Sequence, residues 1–151
     1  MLNEGDKAPN FSLPSSNKVI NLKELYGKKI ILFFYPKDNT PGCTKEACSF
    51  SDNIDKLKKK DIYVFGVSKD NLESHEKFKK KQNLNIELLS DNNSDTCEKY
   101  KVWIKKNKFG KEYMGIERTT FLIDTKGKIE KIWRNLDIDN HVNEILNFLD
   151  Q

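Results

Sequence analysis

The run Lys29-Ile30-Ile31-Leu32-Phe33-Phe34-Tyr35 constrains the fold more than any other stretch of this 151-residue chain. It is apolar almost throughout, without alternation, and rich in β-branched and aromatic residues. Such a run suits a strand buried on both faces, as in the sheet of an α/β protein. Pro36 ends it. All four prolines fall in the first 41 residues, where Pro9 and Pro14 bracket an extended segment, Asn10 to Leu13. Val19 to Leu22 reads as another short strand or turn.

Beyond Pro36 the periodicity alternates between helix and strand. From Pro41 to Lys60, Ala47, Phe50, Ile54 and Leu57 recur at spacings of three and four and predict one apolar helical stripe. Ile62 to Ser68 reads as a second buried strand, and Asn71 to Lys81 as a polar surface helix with Leu72 and Phe78 turned inward. Ile86 to Ser90 is a short strand, Asp95 to Val102 a short helix, and Lys105 to Gly115 a polar, glycine-containing loop. Thr119 to Asp124 and Ile129 to Trp133 flank the turn Thr125 to Lys128 as a hairpin. Asp139 to Leu149 is the closing helix, with Val142, Ile145, Leu146 and Leu149 on one face and Asp139 as candidate N-cap. The order predicts one α/β domain over residues 1–151, with a mainly parallel central sheet to which the hairpin adds antiparallel strands.

No apolar run approaches the roughly 20 residues of a membrane span. The start, MLNEGDKAPNF, lacks the apolar centre of a signal peptide. The sequence therefore predicts a cytoplasmic protein in a reducing compartment, where thiols are catalytic, metal-binding or buried rather than permanently bridged. Net charge is +4, but only Arg118 and Arg134 are arginines, and acidic residues are interspersed. The lysine runs at 58–60 and 79–81 close helical patterns, where cations favour the helix C-terminus. They read as solvated helix faces rather than a nucleic-acid site. There is no GxGxxG or GxxxxGK[ST], so nothing supports a nucleotide cofactor.

The chemistry concentrates in YPKDNTPGCTKEAC, Tyr35 to Cys48. Cys43 follows a buried strand and sits in the first turn of a helix, with Thr40 as candidate N-cap and Pro41 fitted to the first helical position. Unpaired N–H groups there favour a thiolate. Metal binding is disfavoured, because Cys97, His75 and His141 stand at no zinc-type spacing from Cys43 and Cys48. A CxxC motif is absent. Five residues along a helix separate two Cα atoms by roughly 8.7 Å, whereas a disulfide needs about 7 Å or less. Cys43 and Cys48 can therefore bond only if the first turns unwind, which suits a transient disulfide better than a structural one.

These residues resemble a known family. PKDNTPGC matches the PxxxTxxC signature of the peroxiredoxins through Pro36, Thr40 and Cys43. The second cysteine five residues on is similar to the bacterioferritin comigratory protein, or peroxiredoxin Q, branch. The likeness continues in GDKAPNFSL, in Ser68-Lys69-Asp70, in LLSD at Leu88 to Asp91, and in RTTFLID from Arg118. It implies a thioredoxin-like fold with a central mixed sheet flanked by helices.

The resemblance also implies a thioredoxin-dependent peroxidase acting on hydrogen peroxide and organic hydroperoxides. Cys43 would be the peroxidatic cysteine, oxidised to a sulfenic acid. Cys48 would resolve it as an intramolecular disulfide, which thioredoxin or a similar dithiol reduces. No cofactor, nucleic acid or membrane is implied, and resolution within one helix implies a monomer. An ordinary cysteine, pKa about 8.5, is already roughly 3% thiolate at pH 7, so full ionisation gains at most about thirtyfold. Enzymes commonly exceed a million-fold, or about 8 kcal/mol. The remainder must come from aligning the peroxide and stabilising the departing oxygen. The matching donors are the Thr40 hydroxyl, the Gly42 and Cys43 N–H groups and the Arg118 guanidinium, with Pro36 shielding the thiolate and Glu46 orienting Arg118.

Simpler readings stand beside these. Pro36 alone ends a strand, Thr40 alone caps a helix, Arg118 alone is a surface ion-pair partner, and Cys48 alone is a small buried hydrophobe. Cys97 reads as structural, with an alternative resolving thiol as its rival, and His75 and His141 read as surface residues. A non-catalytic redox sensor or chaperone-like binder on the same fold is the competing function, and a general disulfide oxidoreductase a third.

Overall fold

The computed structural model describes residues 1–134 and 136–151. Its elements run β1 (Ser12–Pro14), β2 (Val19–Asn21), a 3-10 turn (Leu22–Leu25), β3 (Lys29–Phe34), α1 (Pro41–Asp52), α2 (Ile54–Lys59), β4 (Ile62–Ser68) and α3 (Leu72–Gln82). They continue with β5 (Glu87–Ser90), α4 (Thr96–Lys99), β6 (Trp103–Lys108), β7 (Lys111–Ile116), β8 (Thr119–Ile123), β9 (Ile129–Arg134) and α5 (His141–Leu149). Five strands form the central sheet in the order β5-β4-β3-β8-β9. β3 pairs parallel with β4 and antiparallel with β8, so the sheet is mixed, as expected.

β3 lies in the middle of this sheet, and alternation along it feeds two cores. Ile30, Leu32 and Phe34 join Phe65, Val67, Leu89, Tyr100 and Phe121 on one face. Ile31, Phe33 and Tyr35 join Phe50, Leu57, Phe78, Leu122 and Ile145 on the other. Each such side chain contributes about 1.5–3 kcal/mol by leaving water. The Phe33 and Phe50 rings stack with centroids 4.4 Å apart, which locks α1 onto β3. Gly66 permits this, because a Cβ there would lie 2.7 Å from the Phe33 ring.

Several expectations are corrected. The helix expected over Pro41 to Lys60 breaks at Asn53, whose side-chain amide donates to the Ser49 carbonyl at 2.8 Å. The stripe Ala47, Phe50, Ile54 and Leu57 is nevertheless buried throughout. Lys105 to Gly115, expected as a loop, belongs to the β6–β7 hairpin. Its turn, Phe109-Gly110, has positive φ at both residues, as a type I′ hairpin turn requires. The apolar signal is missing there because both faces carry lysines, and Phe109 at the tip is 95% exposed. The N-cap of α5 is Asn140 rather than Asp139. His75 and His141, expected at the surface, are both fully buried. Among the described residues no helix is long and apolar enough to cross a membrane.

Candidate active site

The parallel β3–β4 pairing extends one residue past β3, where the Tyr35 N–H donates to the Val67 carbonyl at 3.1 Å. Residues 36–40 then cross the end of the sheet to α1. Thr40 is the N-cap in extended conformation, as expected, but its side chain does not cap the helix. Its hydroxyl donates instead to the Lys37 carbonyl at 2.8 Å. Pro41 and Gly42 open the helix, and Cys43 follows, 1% exposed. The N–H groups of Gly42 and Cys43 belong to the first turn, where no intrahelical acceptor exists.

Arg118 comes from the short link between β7 and β8. Because β8 runs antiparallel beside β3, with Thr119 opposite Phe34, Arg118 arrives at the end of β3 over the first turn of α1. Its Nη2 donates to Cys43 Sγ at 3.3 Å and its Nη1 to Glu46 Oε1 at 2.8 Å. Glu46 lies three residues after Cys43, on the same helix face. It is buried, and its second oxygen has no hydrogen-bond partner among the described residues. Burial pushes the Glu46 carboxyl up to about 7, against the pull of Arg118. A Cβ on Gly42 would lie 3.3 Å from Arg118 Nη2 and 3.2 Å from Ile138 Cδ1, so a side chain there crowds the guanidinium.

Two further groups face this centre and were not anticipated. Lys106, half-buried on β6, has its pKa lowered first by burial and then by the Arg118 charge. His141 lies beneath the site, with Nε2 2.8 Å from Thr120 Oγ1 and its ring edge-on to Phe50 and Trp133. Burial, with Arg118 adding to it, pushes its pKa down to about 4, so it is neutral at pH 7. A signal for His141 was available in its neighbours Val142 and Ile145, which share its helix face. Lys106 had none, since the hairpin reads as a loop.

Thr40, Gly42, Cys43, Glu46 and Arg118 therefore converge, and Pro36 is half-buried at the start of the segment that leads to them. Cys48 does not join them. α1 is continuous from Pro41 to Asp52, and both thiols are free. Cys48 is partly exposed, 3.9 Å from Gln82 Oε1, and burial and Asp52 raise its pKa. Cys97 is buried in the core on the opposite face of the sheet from Cys43. Burial and Asp91 raise its pKa far above an ordinary thiol. That placement agrees with a structural role, and it sets the whole sheet between Cys97 and Cys43. A cavity of about 440 Å³ beside Ile62 to Phe65 touches none of the converging residues.

Residues 4–132 match the AhpC/TSA family. The chain is 52% identical over 143 residues to a putative peroxiredoxin Bcp of Coxiella burnetii, covering 94% of this chain and 95% of that one. It is 47% identical over 146 residues to peroxiredoxin Bcp of Bacillus subtilis, covering 96% and 93%. Among solved structures, a PrxQ mutant of Xylella fastidiosa superposes with a TM-score of 0.92 at 33% identity, covering 99% of this chain and 96% of that one. The bacterioferritin comigratory protein of Xanthomonas campestris, studied for alkyl peroxide reduction, superposes with a TM-score of 0.87 at 33% identity, covering 93% and 90%.

Proposed function

Since the chain belongs to the AhpC/TSA family, and as a peroxiredoxin is a thiol-dependent peroxidase, we propose that Cys43 is its peroxidatic cysteine and Cys48 its resolving cysteine. The observation that carries this reading is the buried Cys43 Sγ held 3.3 Å from an Arg118 guanidinium that Glu46 fixes from behind. The Cys43 thiolate attacks the nearer oxygen of the hydroperoxide. The O–O bond breaks, Cys43 becomes a sulfenic acid, and the distal oxygen leaves as hydroxide or alkoxide and takes up a proton. Negative charge moves from sulfur to that oxygen. Arg118 Nη2 and the Gly42 and Cys43 N–H groups are the donors that meet it. The Thr40 hydroxyl has its proton on the Lys37 carbonyl, so towards the substrate it presents lone pairs that accept from the peroxide O–H. Pro36 walls the pocket.

The Cys48 thiolate then attacks Cys43 Sγ, the S–O bond breaks and hydroxide leaves and takes up a proton as water, which requires the first turns of α1 to unwind. Thioredoxin or a similar dithiol reduces the disulfide. Both thiols come from one helix, so a single subunit completes the cycle, in a reducing compartment such as the cytoplasm. The test is one equivalent of hydrogen peroxide followed by intact mass and a non-reducing peptide map. Loss of two hydrogens mapped to Cys43 and Cys48 is expected. Oxygen retained on Cys43 would replace this with a one-cysteine cycle. No rapid change at Cys43 would bring forward the sensor or binder.

A further inference from the structure

Asp38 is the one buried residue of the segment 36–40 that carries Pro36 and Thr40 to Cys43. Its carboxylate is the centre of a network. Tyr35 Oη donates to Oδ1 at 2.6 Å, Ser74 Oγ donates to Oδ2 at 2.8 Å, and His75 Nδ1 lies 2.7 Å from Oδ2. The Asp38 N–H donates to Asp70 Oδ2 at 2.8 Å, which also accepts from Ser68 Oγ at 2.7 Å. His75 Nε2 lies 3.0 Å from the Leu89 carbonyl. A carbonyl only accepts, so Nε2 carries a hydrogen, and the short Nδ1 to Oδ2 spacing holds one more proton between the two side chains. Asp38, Asp70 and His75 offer ligand atoms within 4.8 Å of one another, but Oδ2 of both aspartates and Nδ1 of His75 are already engaged in these bonds.

The network ties one residue of the loop to three elements: α3 through Ser74 and His75, the end of β4 through Ser68 and Asp70, and β5 through His75. The Thr40 hydroxyl is tied within the loop, to the Lys37 carbonyl, and the Thr40 carbonyl accepts from the Thr44 N–H of α1 at 2.8 Å, so Thr40 moves with the helix start. Asn39, just past Asp38, has the left-handed φ of 62° at which the chain turns towards α1. The chain is thus anchored to α3, β4 and β5 before the turn, whereas after it the hydrogen bonds of Thr40 run to Lys37 and to α1 itself.

We propose that Asp38, held by His75, is the positioning residue of the peroxidatic loop. It keeps Thr40 and the first turn of α1 in register with Arg118 during peroxide attack, and it is the fixed end against which α1 unwinds when Cys43 meets Cys48. The proposal rests on Cys43 and Cys48 being the peroxidatic and resolving thiols. Because it fixes the loop without touching the reacting atoms, its loss separates the two steps. Attack, which needs the assembled pocket, slows. Resolution, which needs the pocket to come apart, does not.

The test is rapid-quench mass spectrometry of wild type, Asp38→Ala and Asp38→Asn, following Cys43 sulfenic acid and the Cys43–Cys48 disulfide. Asp38→Ala is expected to slow sulfenic acid formation about ten- to a hundredfold, the scale of a misplaced catalytic group, with disulfide formation unchanged or faster. Asp38→Asn is expected to restore both steps to within about threefold, because its amide can donate to the lone pair of a neutral His75 Nδ1 and still accept from Tyr35. Wild-type rates in Asp38→Ala, an equal loss in both steps, or an Asp38→Asn as slow as Asp38→Ala would each overturn the proposal. If Asp38→Ala does not fold, hydrogen exchange on the oxidised wild type decides. Protection kept at the Asp38 amide while amides 43–48 open supports the anchor, and loss at both overturns it. A wild type that forms neither species instead removes the reading on which the proposal rests.

Discussion

Arg118 Nη2 stands 3.3 Å from Cys43 Sγ, and the guanidinium cannot swing away without breaking the 2.8 Å bond from its Nη1 to Glu46. One planar fork thus faces the reacting sulfur with one nitrogen and a buried carboxylate with another. A lysine supplies the charge but not two nitrogens in a fixed plane. Arg118→Lys is expected to lower kcat/KM for hydrogen peroxide by about 10²–10³, the usual loss when an oriented donor to a developing oxyanion is removed. Stopped-flow peroxide consumption checks this. A loss under about threefold would mean that charge alone suffices.

Glu46 gives the site a pH dependence whose sign is fixed by burial. Its carboxyl rises from an ordinary 4.5 to about 7 in the folded protein. A raised carboxyl contributes its stability in the protonated form, fully present below about pH 4.5 and lost as pH rises through 7. Glu46→Gln removes this term and keeps an oxygen for Arg118. The stability of wild type relative to Glu46→Gln is expected to fall by on the order of 3 kcal/mol between pH 4 and pH 8. Urea titrations of both proteins across that range measure it, and parallel curves would place the Glu46 pKa near its ordinary value.

His141 acts in the opposite direction. Its pKa falls to about 4 in the fold. A lowered histidine contributes stability above its unfolded value of about 6.5, and this is lost as pH falls towards 4. Relative to His141→Gln, wild type is expected to lose on the order of 3 kcal/mol from pH 7.5 to pH 3.5. Over pH 4.5 to 6.5 the two groups offset one another, so the wild-type stability curve alone is flatter than either contribution. The paired variants separate them in the same urea titrations, and a pH-independent difference for His141→Gln would mean the imidazole titrates as if exposed.

The elements that pack the core were legible because their patterns have one cause. β3 and β4 are read from uninterrupted apolar runs, and the stripe Ala47, Phe50, Ile54 and Leu57 from its spacing, since each must face a core. The mixed character of the sheet follows from strand–helix alternation closed by a hairpin. Cys43, Thr40 and Arg118 were legible through a motif, and the structure brings them together across 75 residues of chain between Cys43 and Arg118. What was missed are polar groups whose role depends on partners distant in sequence. His75 sits three residues from both Leu72 and Phe78, on the inward stripe, yet its polarity argued for the surface. Asp38 lies inside the motif with no local sign that Ser74, His75 and Asp70 would enclose it. The β6–β7 hairpin was missed because, with lysines on both faces, it lacks the alternation that marks a half-buried strand.

The resolving step should carry its own pH dependence. Burial and the Asp52 charge raise the Cys48 pKa, so only a small thiolate fraction is available at neutral pH. The rate of disulfide formation follows that fraction. It is expected to climb through pH 7 to 9. Asp52 is exposed at the end of α1, four residues from Cys48. Asp52→Asn is therefore expected to speed resolution about twofold at pH 7.5, the effect of one exposed charge, and to leave peroxide attack unchanged. Rapid-quench mass spectrometry resolves the two steps. A resolution rate independent of pH would mean that unwinding of α1, rather than the chemistry of Cys48, limits it.

Cys97 provides the last contrast among the three thiols. It is fully buried, its N–H donates to Asp91 Oδ2 at 2.8 Å, and the sheet separates it from Cys43. Burial and the neighbouring carboxylate both hold it in the unreactive thiol form. In native protein a thiol reagent is expected to modify Cys48 first, Cys43 next, and Cys97 only after unfolding. Cys97→Ala is expected to keep wild-type peroxide turnover and the same disulfide after oxidation. It removes a buried sulfur from the core of Phe34, Tyr100 and Phe121, so it costs stability, about 1 kcal/mol for a small cavity. The two readouts separate packing from chemistry. Lost turnover with retained stability would assign Cys97 a place in the redox cycle that its position across the sheet does not suggest.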